Sequence, residues 1–319
     1  MSTSTGASKK QHEDRIILGI ILAILMVFCT SVMDGIAKWL TASYSIISII
    51  LIRNLFSLPL AVVLVAKTGG IATLKSDRPL LLLVRSSLII FAAGSFYAAL
   101  PFMPLAEVFA IAFVAPLFTT LLSVIFLKEK VGFHRWAVVF TGFGGVLIIL
   151  QPGTDTFQPV AILPVIAAFF YALLMIMTRQ LRHHCSSSGM TFWGTVTTVC
   201  LASTTLALPW EAFAWTLPSN TDLLMLMGMA VVATTAHFLT GQAYRYAPAA
   251  VVAPFDYTML IWGLIFGWAF WDEIPEAHVL FGASIIVISG LYIIYRESRS
   301  TNKTVQDSQL PENSTPPTV

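Results

Sequence analysis

Ten apolar stretches follow one another between residues 16 and 296, and the connections between them alternate between basic and nearly uncharged segments. Such an excess of positive charge in every second connection marks the cytoplasmic side of a membrane protein. The alternation therefore predicts a chain that crosses a membrane ten times, with both termini in the cytoplasm. The basic residues that share one side are Lys9, Lys10, Arg15, Lys67, Lys75, Arg78, Lys128, Lys130, Arg135, Arg179, Arg182, Arg245, Arg296, Arg299 and Lys303.

The apolar stretches have the length of membrane helices. Most contain roughly the 20 residues that an α-helix needs to cross about 30 Å of hydrocarbon. They show no two-residue alternation of polarity, which excludes the strands of a membrane β-barrel. The sequence therefore predicts an all-α integral membrane protein. The predicted helices cover residues 16–40, 44–66, 79–99, 104–127, 134–151, 159–180, 189–208, 222–244, 248–271 and 277–296.

Composition agrees with a membrane protein. With 57% hydrophobic and 11% charged residues, a soluble globule of this size would expose far more apolar surface than one core could hide. The basic residues are explained by topology, so no nucleic-acid partner is expected. Three cysteines without metal-ligand spacing predict neither a zinc site nor a disulfide framework, and no cofactor is expected. Residues 1–15 form a cytoplasmic tail without a signal-peptide cleavage pattern, and 297–319 form a second tail predicted to be disordered.

An internal repeat divides the chain into halves at 16–151 and 159–296. Each half contains five predicted helices, and an odd number forces the two halves into opposite orientations in the membrane. Inverted repeats of this kind recur in transporters, whose substrate sites lie near mid-membrane where the halves meet. Pro116 and Pro254 fall inside predicted helices and should kink them. A shift of 144 residues matches Ala99 with Ala243, Pro104 with Pro248, Ala106 with Ala250 and Glu129 with Glu273.

Both halves resemble the EamA-type repeat of the drug/metabolite transporter superfamily. The first resemblance rests on AALPFMPLAE at 98–107, Pro116 and FLKEK at 126–130; the second rests on AYRYAPAA at 243–250, WDE at 271–273, Gly282 and Gly290. It covers nearly the whole chain except the tails. It implies a ten-helix secondary transporter of small metabolites, such as amino acids, S-adenosylmethionine or riboflavin. Leu260 stands where the match to Pro116 would lie, so we expect the two halves to bend differently.

Two arginines lie inside predicted helices. Arg53 is about nine residues into the second helix, roughly 13 Å from its outer end. A lone arginine at that depth costs about 2.5–3.5 kcal/mol, so it needs a carboxylate, carbonyl groups or a water-filled cavity beside it. It either locks two helices in an ion pair or binds an anionic group, and the resemblance favours the second role. Arg85 either reaches the cytoplasmic headgroups or lines the same cavity.

The other predicted cavity residues are acidic or aromatic. Asp256 follows Pro254 near mid-membrane, where a carboxylate coincides with a locally opened backbone. Tyr257 and Trp262 could hold a flat ring or a cation, or could simply pack. His237 either carries a proton or serves as a neutral hydrogen-bond partner. The predicted substrate site consists of Arg53, Arg85, Tyr97, His237, Asp256, Tyr257 and Trp262.

Other charged residues are expected at helix ends. Glu107 stabilises the start of the fourth helix or gates the cavity, whereas Glu129 and Glu273 stand before the next helix and should stabilise its positive end. Asp34 and Lys38, four residues apart, are expected to neutralise each other.

Two groups of glycines suggest close helix packing. Gly263 and Gly267 form a GxxxG motif. Gly142, Gly144 and Gly145 remove side-chain bulk from the fifth helix. Both groups would let neighbouring backbones approach each other. The same surfaces could also form the contact of a homodimer.

The leading hypothesis is a secondary active carrier with alternating access to a central cavity. Cationic and acidic groups together suit a zwitterion or a charged heterocycle, and proton coupling could run through Asp256 or His237. The absence of a phosphate-binding loop argues against direct use of ATP. An integral-membrane enzyme acting on lipid-like substrates is the alternative, but His183 and His184 have no partner carboxylate in the sequence. A channel or facilitator is the third. We expect the bacterial inner membrane as its location.

Overall fold

The computed structural model describes residues 3–128, 132–153, 158–205 and 216–307, and the regular structure in these ranges is helical. Large apolar side chains cover its outer surface; Phe140 is 69% exposed and Phe238 is 65% exposed. Such a surface is stable in lipid and not in water. The prediction of an all-α, multi-pass membrane protein is therefore confirmed. The stretches long and apolar enough to span a membrane are Ile16–Thr41, Ile46–Thr68, Pro79–Ala99, Leu105–Leu127, Pro159–Leu181 and Asn220–Tyr246, with shorter apolar helices at Trp136–Leu150 and Ala277–Tyr292.

Twelve α-helices occupy the described ranges, and most lie within a few residues of predicted ones. They are α1 (Thr3–Thr41), α2 (Ile46–Thr68), α3 (Pro79–Ala99), α4 (Leu105–Ala112), α5 (Ala115–Leu127), α6 (Phe133–Leu150), α7 (Ile162–Leu181), α8 (Ser187–Thr205), α9 (Asn220–Tyr246), α10 (Ala249–Val252), α11 (Thr258–Trp271) and α12 (Ala277–Asp307). Short 3-10 turns cover Gly70–Leu74, Pro159–Ala161 and Ala253–Tyr257.

Two predicted helices are interrupted, and proline is the cause in both. Pro116 has no N–H to donate to the carbonyl of Ala112, and α4 ends at that residue. Pro254 lies in the five-residue 3-10 turn between α10 and α11. The expected kinks are therefore complete breaks, and the two differ in form.

The terminal helices are longer than the sequence predicts. Helix α1 begins at Thr3, within the predicted tail 1–15, and α12 continues to Asp307, so that 297–307 is helical where disorder is predicted. No proline or glycine occurs between Gly290 and Pro311, and the glutamate, arginine, lysine and glutamine in this stretch favour helix. Residues 308–319 lie outside the described residues.

The two halves share local backbone features at the predicted 144-residue spacing. Lys128 ends α5 with φ 53° and ψ 32°, and Asp272 ends α11 with φ 53° and ψ 31°. Phe113, at the break after α4, is equivalent to Tyr257, at the end of the 3-10 turn. Glu129, which follows Lys128, lies outside the described residues. These matched features support the duplication inferred from sequence.

The packing of the helices also reflects the duplication of the chain. Helix α1 packs along α9, and their counterparts α7 and α3 also pack along each other. Helix α2 packs on its counterpart α8, and α6 packs on its counterpart α12. The main helix contacts therefore join the two halves, and the hydrophobic core contains residues of both.

Glycines allow the closest of these approaches. A Cβ atom on Gly145 of α6 would lie 2.8 Å from the carbonyl oxygen of Gly282 on α12, and one on Gly282 would lie 2.6 Å from that of Gly145. A real Cβ atom does not approach a carbonyl oxygen this closely, so neither position accepts a side chain without a shift of the backbone. The predicted role of the glycines in helix packing therefore holds for Gly145 at the α6–α12 contact.

We predict that Gly145→Ala destabilises the protein, whereas Gly144→Ala does not. Nothing lies within 4 Å of a Cβ atom on Gly144, and both substitutions gain the same helix propensity. Overpacking at Gly145 should cost about 1–3 kcal/mol. Thermal unfolding in detergent measures the difference, and equal unfolding temperatures for the two variants would contradict the close α6–α12 contact.

Candidate functional site

Arg53 lies inside the bundle, seven residues after the start of α2 and thus about 11 Å along the helix. Its Nη1 atom donates a hydrogen bond to the Tyr97 hydroxyl of α3 at 3.0 Å and lies 3.6 Å from Met33 Sδ of α1. Its Nε atom is buried and has no hydrogen-bond partner among the described residues. The guanidinium group therefore joins three helices and keeps unused donor capacity.

Two further titratable residues belong to this Arg53 site. Asp34 of α1 is only 4% exposed and interacts electrostatically with Arg53. His237 of α9 also interacts electrostatically with Arg53, and its side chain keeps accessible surface. The structure thus brings together the predicted residues Arg53, Tyr97 and His237. It adds Asp34, which sequence reasoning had assigned to a different partner.

A second group of predicted residues surrounds the break between α10 and α11. Asp256 and Tyr257 end the 3-10 turn, and the Tyr257 ring lies 4.8 Å from the ring of Phe113 at the other helix break. Asp256 interacts electrostatically with Tyr171 of α7 and Tyr244 of α9, as well as with Tyr257. A partly exposed carboxylate thus lies among three phenol groups, where it can attract a cationic group.

Tyr257 depends on a glycine in α12. A Cβ atom at Gly290 would overlap with the Tyr257 hydroxyl. Because glycine has no Cβ atom, the tyrosine hydroxyl can approach the α12 backbone closely. Gly290 is one of the residues on which the family resemblance rests, and this contact gives it a physical role.

Trp262 faces α1 instead of the helix breaks. Its ring packs edge-on against Phe28 at 4.8 Å and lies 6.0 Å from Phe266. Its indole N–H is buried without a hydrogen-bond partner among the described residues. The residue is part of the α1–α11 contact, with one donor directed into the interior.

Arg85 joins α3 to the second half of the chain. Its Nε donates to the Thr178 hydroxyl of α7 at 3.1 Å, and its Nη1 donates to the Met190 carbonyl of α8 at 3.1 Å. It also interacts electrostatically with His237, as Arg53 does. Arg85 was predicted either to line the cavity or to reach the headgroups; in the structure it forms an interhelical contact, and its role toward a substrate stays a prediction.

The end of the bundle predicted to be extracellular is closed by Lys38. Its Nζ atom forms an ion pair with Glu273, donates to the Met103 carbonyl at 2.7 Å and lies 5.4 Å from the centre of the Trp271 ring. The predicted neutralisation of Lys38 by Asp34 is wrong. The close packing of α1 against α11 brings Glu273 within reach, although it is 235 residues away in the sequence.

Glu273 also contacts the start of a helix, but not the one that follows it. Its Oε2 atom accepts a hydrogen bond from the backbone N–H of Leu105, the first residue of α4, at 3.0 Å. A carboxylate is favourable there because the start of a helix carries unsatisfied N–H groups and positive potential. Glu107, in the first turn of α4, interacts electrostatically with Lys38 and Glu273. We call Lys38, Met103, Leu105, Glu107 and Glu273 the closed end.

The GxxxG step of α11 is buried within the chain. A Cβ atom on Gly263 would lie 2.6 Å from the Phe109 ring of α4, and one on Gly267 would lie 3.4 Å from Glu273 Oε2. These glycines therefore let α11 approach α4 and Glu273. The predicted homodimer would need another surface.

Asp34, Lys38 and Phe113 are the residues of this region that sequence reasoning missed or paired incorrectly. The 144-residue shift contained the signal for Phe113, since it is the counterpart of Tyr257. For Asp34 and Lys38 the four-residue spacing suggested a local pair, and no local signal indicated their distant partners.

We predict that Arg85→Leu lowers the stability of the protein by about 1–3 kcal/mol, because two charge-assisted hydrogen bonds between helices are lost. Arg85→Lys should recover part of the loss, since it retains one charged donor. Thermal unfolding in detergent tests this. Unchanged stability of Arg85→Leu would show that the contacts with α7 and α8 contribute nothing.

Comparison with known proteins places the chain in a family. The model of the EamA-like transporter family matches residues 17–151 and 158–296. The chain is 29% identical over 288 residues to an S-adenosylmethionine uptake transporter of Rickettsia bellii, covering 90% of this chain and 97% of that protein. It is 35% identical over 202 residues to a riboflavin transporter of Vibrio cholerae, covering 63% of this chain and 66% of that protein.

A solved structure supports the fold. A crystal structure with 12% sequence identity superposes with a TM-score of 0.60, covering 87% of this chain and 98% of that one. At this identity the likeness concerns the fold alone. Together with the two family matches across the sequence, it leads to one conclusion: the chain belongs to the EamA-like transporter family.

Proposed function

We propose that this protein is a secondary carrier that moves a small zwitterionic or charged heterocyclic metabolite across the bacterial inner membrane by alternating access. Family membership makes it a transporter of small metabolites, and it favours transport over the alternative of a membrane enzyme. The observation that carries the finer proposal is the Arg53 site. A buried guanidinium group there is joined to three helices and still has an unused donor.

The Arg53 site suits an anionic group of the substrate. A guanidinium group binds a carboxylate or phosphate through two parallel hydrogen bonds. Nη1 of Arg53 already donates to Tyr97, whereas the buried Nε remains available for such a ligand. Asp34 compensates the charge of Arg53 when no substrate is bound, so that the site costs less in the membrane. A substrate carboxylate would compete with Asp34 for this arginine.

The groups at the α10–α11 break suit the remainder of such a substrate. Asp256 can attract a cationic group, and the rings of Tyr257 and Phe113 can hold a flat heterocycle. S-adenosylmethionine and riboflavin, named for the two relatives, both contain a nitrogen heterocycle. Aromatic side chains also continue from the Arg53 site toward the α10–α11 break. The Phe96 ring lies 6.1 Å from the Tyr97 ring and 6.1 Å from that of Phe109, which precedes Phe113 by four residues.

The transport mechanism depends on the proposed topology. We infer ten membrane segments in two inverted halves, with α4 joined to α5 and α10 joined to α11 as single interrupted segments. The basic connections support a cytoplasmic location of both termini. Two observations support the duplication. Lys128 and Asp272 have the same left-handed backbone conformation, and helices of one half pack on their counterparts in the other. Interrupted helices in corresponding positions of two halves are typical of transporters.

The closed end gives the proposed mechanism a direction. Lys38 joins α1, the connection before α4 and the connection after α11 in one cluster. These elements belong to both halves, so the ion pair must break when the halves separate on this side. On the proposed orientation, we infer that this form of the carrier is closed toward the outside. Proton coupling would use Asp256 or His237; a facilitator or exchanger would use the same walls.

We predict that Arg53→Ala and Asp256→Asn abolish or strongly reduce transport, at least tenfold, because each removes one charged contact to the substrate. Proteoliposomes and a panel of labelled metabolites, with and without an imposed pH gradient, measure rate, substrate and coupling together. Arg245→Ala is the matched control, since it removes a basic residue of α9 outside the sites described above. Wild-type rates for both variants, inserted normally, would contradict the proposed substrate site.

We predict that Glu273→Gln opens the closed end. A cysteine placed at Met33, beside Arg53, in a protein without the native cysteines should react several-fold faster with an external, membrane-impermeant maleimide. The exchange Lys38→Glu with Glu273→Lys should slow the reaction only in part, because it restores the ion pair but loses the hydrogen bonds to the Met103 carbonyl and from the Leu105 N–H.

Glu276→Gln is the control for the closed end. It removes a carboxylate from the same connection, where Glu276 lies 3.3 Å from His278 and does not bind Lys38. Equal labelling rates for Glu273→Gln and the parent protein would show that the ion pair does not hold this side shut.

A further inference from the structure

Two connections meet at the end of the bundle opposite the closed end. The connection between α2 and α3 contributes Thr73 and Asp77, and the connection between α7 and α8 contributes His184 and Ser186. The Ser186 hydroxyl donates to the Thr73 carbonyl at 2.9 Å, and the Asp77 N–H donates to the His184 carbonyl at 3.4 Å. In addition, the indole N–H of Trp193 in α8 donates to the Leu74 carbonyl at 3.0 Å. The two connections are therefore fixed to each other.

A cavity of about 310 Å³ lies between these connections, and its walls are basic. Lys75 comes from the first connection, and Arg182, His183 and His184 come from the second. Four nitrogen-bearing side chains thus converge from parts of the sequence more than 100 residues apart. The cavity is also lined by Ala72, Thr73, Cys185 and Ser186.

The charge in this cavity is only weakly compensated. Arg182 Nε donates to His183 Nε2 at 2.8 Å; the imidazole accepts as a neutral ring, so this bond orders both side chains and leaves the charge of Arg182 uncompensated. The Asp77 carboxylate lies 3.8 Å from His184 Nδ1, but its side chain is 84% exposed to solvent. Burial raises the pKa of the Cys185 thiol, so this residue adds no negative charge at neutral pH.

Exposed apolar side chains surround the cavity, and they could contact the acyl chains of a lipid. Ile71 precedes its first lining residue and is 81% exposed, and Leu80 at the start of α3 is 74% exposed. Trp193 is 37% exposed beside the same connection, and tryptophan is enriched at the boundary between membrane and water. A ligand held here by its charge would have apolar contacts available next to it.

We propose that this cavity binds the phosphate group of an anionic phospholipid. The basic side chains Lys75 and Arg182 would hold the phosphate, and the acyl chains would lie along Ile71 and Leu80. Basic pockets between membrane helices on the cytoplasmic side are suited to such headgroups. A free phosphate compound has the same charge but gains nothing from the apolar surroundings. The proposal rests on the proposed orientation of the chain and not on the identity of the transported substrate.

The chain offers a matched control for this site. Lys67 and Arg78 flank the same connection and are exposed, but neither lines the cavity. Lys67→Gln with Arg78→Gln therefore removes two positive charges from the same surface as Lys75→Gln with Arg182→Gln. Only Lys75→Gln with Arg182→Gln removes side chains that line the cavity. Any general effect of surface charge on lipid binding is equal in the two variants.

The test uses the full-length protein purified in neutral detergent. Its thermal unfolding is followed by tryptophan fluorescence after addition of cardiolipin, phosphatidylglycerol, phosphatidylcholine or inorganic phosphate. We expect the anionic lipids to raise the unfolding temperature of the wild-type protein by about 2–4 °C relative to phosphatidylcholine, because a ligand of the native state stabilises it. Lys75→Gln with Arg182→Gln should lose most of this increase, and Lys67→Gln with Arg78→Gln should keep it. Native mass spectrometry should show retained anionic lipid on the wild-type protein and on the Lys67→Gln with Arg78→Gln variant, which also respond in the unfolding assay.

Two results would overturn the proposal. An equal response of both double variants to cardiolipin would show that the cavity does not bind the headgroup. An increase with inorganic phosphate as large as that with anionic lipid would show that the occupant is a soluble phosphate compound. Neither result depends on transport activity, so failure here leaves the proposed carrier function unaffected.

Discussion

Hydrocarbon offers neither hydrogen bonds nor counter-ions, so every charged side chain taken into this bundle has to find its partners within the protein. Helix α1 shows the consequence most directly. Asp34 interacts electrostatically with Arg53 in the interior, and Lys38, one helical turn further along, binds Glu273 at the closed end. Helix α1 thus carries residues of both the Arg53 site and the closed end, so a movement of α1 that releases Lys38 also shifts Asp34 relative to Arg53.

The helix breaks follow from the same constraint. Pro116 and Pro254 free backbone carbonyl groups that lipid could not satisfy, so such breaks must face protein or a cavity. At both breaks an aromatic ring faces the other half, and these two rings, of Phe113 and Tyr257, are in contact. These two residues are also equivalents in the internal repeat. The two halves therefore meet at their least regular points, where local movement costs the fewest backbone hydrogen bonds.

The sequence predicted much of the fold because its signals are local. Length, polarity and proline positions identified the helices and the two interruptions, and the depth of Arg53 indicated a partnered charge. The partners themselves were not predictable, since they depend on which helices pack together. Lys38 was paired with the nearest carboxylate along α1, whereas the connection after α11 supplies a closer one in space, that of Glu273. Arg85 has a similar depth signal to Arg53, yet its neighbours Thr178 and Met190 make it a link between helices.

The energetics of the closed end suit a reversible contact. When the end is closed, Lys38 is 6% exposed, and burial removes most of its hydration. The ion pair, the Met103 carbonyl and the Trp271 ring offset that loss, so the net gain is small compared with the attraction alone. When the end opens, the ion pair breaks and water solvates the separated charges, which offsets the loss of these partners. The difference between the two forms is therefore modest. A substrate that binds one form of the Arg53 site more tightly by a few kcal/mol is then sufficient to shift the population from one form to the other.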